Sequence, residues 1–218
     1  LECVMHDLAN PSAVLLMNLQ HIERNIGEEE REKLQPAMDR AIGQVNRQRQ
    51  LIQSIGDVFG AEIDHAAVMA ESEAPDLVTL LGETIREQEF VADRSNIVFE
   101  MEAPPQAKVR ADRIYLRRIL ENIFNNAVRH SPEGGRIRAF VEMSENFVRT
   151  EIKDEGSGFL IDTDKVFEPF SQGESNSGSS GLGLYFCRMA VEMFGGSIRA
   201  ENRKGGGAKV IVILPVVS

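Results

Sequence analysis

Hydrophobic spacing changes character once along this chain, and that change divides it. Up to residue 59 the inward positions recur at alternating intervals of four and three. The first series is Leu8, Ser12, Leu15, Leu19, Ile22 and Ile26; the second is Leu34, Met38, Ala41, Val45, Gln48, Ile52, Ile55 and Phe59. This is the a/d seam of two helices packed at a shallow angle. Asn25-Ile26-Gly27-Glu28 supplies a short turn between them, so residues 1–60 read as a helical hairpin. Ile42, Leu51 and Val58 flank the stripe and stay outside a lone hairpin. Pairing two hairpins into a four-helix bundle buries them, and a two-fold homodimer is the simplest closed arrangement.

Residues 61–75, entered after Gly60, lose the periodicity, carry Asp64, Ser72 and Pro75, and read as a connector. From residue 76 the pattern is mixed. Asp76 caps a helix to about Asp93, and Asp112 caps another through about His130. Strands are expected at Asn96–Glu102, Arg136–Met143, Phe147–Lys153, Ser197–Asn202 and Ala208–Leu214, with a third helix from Gly181 to about Phe194. The fold class expected is an all-α helical hairpin, dimerised as a four-helix bundle, followed by an α+β two-layer sandwich over 76–218: one mixed sheet and one helical layer.

Composition narrows the function classes. With 42% apolar and 27% charged residues the 218-residue chain is globular, and its net charge of −10 argues against a nucleic-acid binder. It does not argue against a nucleotide, whose phosphates can be met by Mg²⁺ and backbone N–H groups. The two cysteines, Cys3 and Cys187, form neither a metal-ligand pattern nor a disulfide framework, which fits a reducing compartment and a cytoplasmic location. No apolar run is long enough to span a bilayer, so no membrane contact is expected of this segment. The chain starts inside an apparent helix and is expected to be a fragment, with room upstream for a membrane-anchored sensor.

Three stretches carry chemistry. In Glu121-Asn122-Ile123-Phe124-Asn125-Asn126-Ala127-Val128-Arg129-His130, Asn122 and Asn126 share one helix face. Asn is a poor helix former, so their presence needs a reason, and their amide oxygens are hard neutral ligands suited to Mg²⁺. Arg129 lies one turn past Asn125 and can reach a phosphate oxygen. Asp154-Glu155-Gly156-Ser157-Gly158-Phe159 closes a strand; its carboxylate can accept from an exocyclic amine of a base, and its glycines let the backbone turn close to that base. Gly178-Ser179-Ser180-Gly181-Leu182-Gly183-Leu184 opens a helix, where backbone N–H groups and the positive helix end suit phosphates. Each alone also fits an ordinary cap, turn or flexible loop. Their order and spacing make one nucleotide pocket.

In that order the stretches resemble the N, G1 and G2 boxes of sensor histidine kinases, and Val166-Phe167-Glu168-Pro169-Phe170 resembles their F box. The resemblance implies an ATP-binding catalytic domain of the GHKL (Bergerat) type, shared with gyrase-, Hsp90- and MutL-type ATPases. It implies Mg²⁺ and phosphates at Asn122 and Asn126, and adenine recognition by Asp154. Arg129, His130, Gly156, Gly158, Gly181, Leu182 and Gly183 would line the pocket. Residues 159–180 would form an ATP lid anchored by Phe167 and Phe170. His130 stands where many members carry Tyr or Phe, and Ser179-Ser180 where a Gly-Thr pair is common.

His6-Asp7-Leu8-Ala9-Asn10-Pro11 resembles the H box of the same family, and the hairpin resembles its dimerisation and histidine-phosphotransfer domain. A neutral imidazole is a competent nucleophile, Asp7 can orient it or accept its proton, and Pro11 frees a carbonyl by kinking the helix. The resemblance implies autophosphorylation of His6 and transfer to an Asp of a response-regulator receiver domain. It also implies a water-positioning role for Asn10 in dephosphorylating that regulator. Two other readings stand beside it: a non-catalytic docking module, and an ATP-driven ATPase in which Glu121 activates water.

Overall fold

The computed structural model describes residues 74–92, 95–171 and 181–217, together with 15, 17–19, 22, 27, 34–43 and 45. Residues 34–43 are helical, and Met38 and Val45 of the expected seam are buried, although Leu34 is exposed. His6, Asp7 and Asn10 lie outside the described residues.

From residue 76 the elements run α1 (Leu77–Ala92), β1 (Val98–Glu102), α2 (Arg113–His130), β2 (Arg136–Met143), β3 (Phe147–Lys153), α3 (Gly183–Met193), β4 (Ser197–Asn202) and β5 (Ala208–Pro215). The helix starts follow from their caps. Asp112 Oδ1 accepts from the backbone N–H groups of Ile114 at 2.7 Å and Tyr115 at 3.0 Å. Asp76 Oδ1 accepts from Val78 N at 3.3 Å and also from Ala107 N at 2.8 Å, which ties the start of α1 to the segment before α2. At the other end of α3, Gly195 takes φ +76°. Its N–H donates to Glu192 O and that of Gly196 to Val191 O, a Schellman closure.

The strands form a five-stranded sheet in the order β1-β2-β3-β5-β4. β1 and β2 pair in parallel; the other neighbours are antiparallel. Period-two alternation assigns the faces. Ile137, Ala139, Val141, Val148, Ile152, Val210, Val212 and Leu214 turn toward one layer of helices, where α2 packs between α1 and α3. Leu80, Leu81, Leu116, Ile119, Ile123, Phe124, Phe186 and Phe194 complete that core from the helical side. The opposite face is polar, and its ion pairs centre on Glu151. That carboxylate is met by Arg149, Lys153 and, at 3.9 Å, Lys209. Burial pushes the Glu151 carboxyl up, but Lys153 and Arg149 outweigh it and hold it below the ordinary carboxylate value.

The two-layer α+β sandwich is as the sequence predicts. α3 begins two residues later than expected, because Gly181 has φ +68° and cannot continue a right-handed helix. Among the described residues no helix is long and apolar enough to cross a membrane.

Candidate functional site

The segments singled out in the sequence meet where α2, the turn after β3 and the start of α3 converge. α2 sets the geometry by alternation. Ile123, Phe124 and Ala127 enter the core, so Asn122 and Asn126 fall half-buried at its edge and Arg129 and His130 are exposed at its last turn. Asn122 Nδ2 donates to Arg118 O at 2.9 Å. That bond fixes the amide and leaves Oδ1 directed to the start of α3, where a Cβ on Gly183 would lie 2.9 Å from it. Asn125 belongs elsewhere: its Oδ1 accepts from Gln88 Nε2 of α1 at 3.1 Å.

Asp154 is 6% exposed, at the end of β3. Its Oδ1 accepts from Gly156 N at 2.8 Å and from Ala208 N at 3.0 Å, so one carboxylate oxygen shapes the turn. A Cβ on Gly156 would overlap the His130 carbonyl, its carbonyl carbon lying 2.8 Å away. The glycine thus lets this turn seat directly on the end of α2. Although His130 is among the exposed residues, adjacent protein removes part of its hydration and pushes its pKa down from 6.5. Arg129 adds to the shift and Asp154 opposes it. The imidazole is therefore neutral at neutral pH.

Gly181 and Gly183 bracket the buried Leu182, which caps α3 without a side-chain hydrogen bond. A Cβ on Gly181 would lie 2.7 Å from the Phe170 carbonyl carbon, and Phe170 N donates to Gly181 O at 3.1 Å. The two phenylalanines expected to anchor the lid are placed differently. Phe167 is 5% exposed, among Val166, Ala200 and partly buried Ile161, Leu184 and Ile198. Phe170 is 64% exposed on a turn where its φ is +61°. Residues 172–180 of the expected lid lie outside the described residues.

Glu121 faces away from this convergence. Its Oε1 accepts from Arg117 Nε at 3.0 Å, and the same guanidinium pairs with Glu83 and Glu87 of α1. The carboxylate is thus on the α1 side of α2, while Asn122 is on the α3 side.

Sequence reasoning missed the β4–β5 hairpin as part of the site. Arg203 donates to Asp154 O, Ala208 N to Asp154 Oδ1, and Asn202 bonds Phe159. A Cβ on Gly207 would overlap the Asp154 carbonyl. The Gly205-Gly206-Gly207 run was the available signal, because three glycines in a hairpin exceed what a turn requires.

Residues 111–218 match the family described as histidine kinase-, DNA gyrase B- and HSP90-like ATPase, and so this segment, from the cap of α2 through β5, is an ATPase-type nucleotide-binding domain. The chain is 34% identical over 148 residues to the alginate biosynthesis sensor protein KinB of Pseudomonas aeruginosa, covering 65% of this chain and 24% of that protein. It is 31% identical over 224 residues to the sensor protein SphS of Synechococcus elongatus, covering 97% of this chain and 53% of that protein. The mycobacterial sensor histidine kinase MprB superposes with a TM-score of 0.60 at 26% identity, over 67% of this chain and 98% of that structure. The chain belongs to the sensor histidine kinases and spans from about a quarter to about half the length of these two curated relatives.

Proposed function

We propose that this chain is the core of a two-component kinase, with residues 1–60 as a dimerising phosphoacceptor hairpin, 61–75 as connector and 76–218 as the catalytic ATP-binding domain. The observation that carries the proposal is that two motifs from other parts of the chain line α2, the Gly156 turn beside Asp154 seated on His130 and Gly183 seated on Asn122. In this reading Asp154 accepts from the adenine amine, with His130 and Gly158 beside the base. The N–H groups of Gly183 and the residues after it face phosphates, and Arg129 adds a cation. Leu182, Gly181 and the Phe167 cluster hold the far wall.

Mg²⁺ fits the donor set. Asn122 presents an amide oxygen whose nitrogen is already engaged, and Asn126 follows one turn on. Two neutral amide oxygens, with phosphate oxygens and water, would suit this hard cation. When bound, the ion would neutralise charge on the phosphates. The protein's own task is positioning. His6 attacks the γ-phosphorus in line, a nitrogen–phosphorus bond forms, the bond to the β–γ bridging oxygen breaks, and ADP leaves while Asp7 takes the imidazole proton. The phosphoryl group then passes to an aspartate of a response-regulator receiver domain, and in a separate phosphatase step Asn10 orients a water that hydrolyses that aspartyl phosphate to free aspartate and inorganic phosphate. Pairing of Glu121 with Arg117 on the α1 side favours this reading over an ATPase that uses Glu121 to activate water.

Incubation with γ-labelled ATP tests it. Acid-labile label on the wild-type chain that disappears in His6→Gln is expected. Full labelling of His6→Gln, or steady ATP hydrolysis with no phospho-protein, would overturn the kinase reading.

A further inference from the structure

One side chain closes the start of the 159–171 segment onto the edge of the sheet. Asn202 is the last residue of β4, and β4 is an outer strand. Its amide meets the backbone of Phe159 twice. Phe159 N–H donates to Asn202 Oδ1 at 2.7 Å, and Asn202 Nδ2 donates to Phe159 O at 3.0 Å. A side-chain amide here takes the part of a neighbouring strand's peptide, satisfying both polar groups of one residue. Gly158, the residue before, has φ +76°, and a Cβ on it would lie 2.7 Å from Asn202 Oδ1. Glycine at 158 is thus demanded twice, by its backbone angle and by Asn202. The next residue along β4–β5, Arg203, donates to Asp154 O. Adjacent hairpin residues therefore hold the two ends of the Asp154–Phe159 turn, Arg203 at its start and Asn202 at its finish.

We propose that Asn202 is a positioning residue for nucleotide binding, which fixes the Phe159 peptide and so holds the Asp154–Gly158 turn in its base-accepting shape. The proposal rests on the reading of that turn as the base-binding element. Both hydrogen bonds lie at an exposed position, where water replaces them at small net cost, so they add little to global stability. Their effect is on the conformational freedom of the turn. A turn released at Phe159 must be reordered each time a base enters, and that ordering is subtracted from affinity. Because Asn202 acts at the base end, the loss is the same whether or not a γ-phosphate is present.

The experiment titrates ADP and, separately, AMP-PNP, each with Mg²⁺, into the full chain, its Asn202→Ala variant and its Asn202→Asp variant, alongside thermal melting and ATP-dependent autophosphorylation. Asn202→Ala is expected to bind both nucleotides roughly tenfold more weakly by one common factor. Its melting temperature stays close to the wild type, its KM for ATP rises by that factor, and its kcat is retained. Asn202→Asp keeps an acceptor for Phe159 N–H and loses the donor, and it falls between the two. Equal affinity of wild type and Asn202→Ala for both nucleotides overturns the role of Asn202, as does a loss confined to AMP-PNP. If Asn202→Ala does not fold, Asn202→Asp is judged by the same comparison. A wild-type chain that binds neither nucleotide overturns the nucleotide site itself, and this inference with it.

Discussion

Gly183 and Asn122 meet across the α2–α3 junction with no space between them for a side chain: a Cβ on Gly183 would stand 2.9 Å from Asn122 Oδ1. The neighbour is a side-chain oxygen and can yield, but only by turning the amide out of its 2.9 Å bond to Arg118 O. Gly183→Ala is therefore expected to fold and to bind Mg²⁺ nucleotide at least about tenfold more weakly, the worth of one misdirected hydrogen bond to a charged ligand. Calorimetric titration with AMP-PNP reads this directly. Wild-type affinity in Gly183→Ala would remove Asn122 from the phosphate end of the site.

In the proposed reading, Asp154 divides fold and recognition between the two oxygens of one carboxylate. Oδ1 takes the N–H groups of Gly156 and Ala208, and an asparagine carbonyl can keep both. What Asp154→Asn changes is the second atom, an acceptor exchanged for a donor. Its melting temperature is expected to stay close to the wild type, while ATP affinity falls about a hundredfold because two amine donors then face each other. Preference for ATP over GTP should shrink with it. Asp154→Ala, which removes the acceptor for both N–H groups, should lose stability as well as affinity. An Asp154→Asn chain that binds ATP as tightly as the wild type would contradict adenine recognition by this residue.

These two residues also mark how far the sequence reaches. Strand alternation from Arg136 to Met143 and Phe147 to Lys153 was legible to the residue, because one face of each strand is buried and the other carries charge. The neighbours were not legible. Periodicity says which way a side chain points and nothing about which strand lies beside it, so the parallel β1–β2 pair and the placing of β5 between β3 and β4 come only from the fold. The site divides in the same way. Asn122, Asp154 and the glycines are local motifs, whereas Asn202, Arg203 and Ala208 reach Asp154 and Phe159 across more than forty residues of chain. Asn125 looked like its neighbours in sequence and is instead a tie to Gln88 of α1. Phe170 matched a motif but has a backbone angle that no sequence pattern reveals.

Acid should weaken the domain in two separable steps. His130 titrates at 6.5 in an unfolded chain and lower in the folded one. Between those values the unfolded chain holds more protons, so stability falls as pH drops below about 6.5. Glu151 has the opposite charge type but the same direction of loss. Its carboxyl is held below its ordinary 4.5, so its contribution is complete above 4.5 and is lost as pH falls from there through the folded value. Melting temperature measured against pH should show both windows. His130→Gln should flatten the upper one alone, and Glu151→Gln should shrink the lower one, to which Asp76 also contributes, with a lower melting temperature already at neutral pH because Arg149 and Lys153 lose their shared partner. A melting curve for His130→Gln that keeps the wild-type slope between neutral pH and the folded value would contradict the first assignment.

Phe167 and Phe170, three residues apart in one motif, should respond oppositely to truncation. Phe167 fills a small cluster that fastens the 159–171 segment to Ile198 and Ala200 of β4 and Leu184 of α3. Phe167→Ala leaves that segment without its main apolar contact, a loss of about 3 kcal/mol by analogy with other buried Phe truncations. The damage should be local, because the larger core under α2 does not include this ring. Protease cleavage within 159–171 should therefore accelerate well before global melting moves. Phe170 buries little, and its φ of +61° is a strained angle for a side chain of its size. Phe170→Gly should thus leave stability unchanged or raise it by up to about 1 kcal/mol. The exposed ring adds little to packing, so a loss of labelling in Phe170→Gly without a loss of stability would be a loss in the reaction and not in the fold. Autophosphorylation of Phe170→Gly should fall while its melting temperature does not, which thermal melting and labelling with γ-labelled ATP together measure. Wild-type labelling by Phe170→Gly would show that this ring contributes to neither.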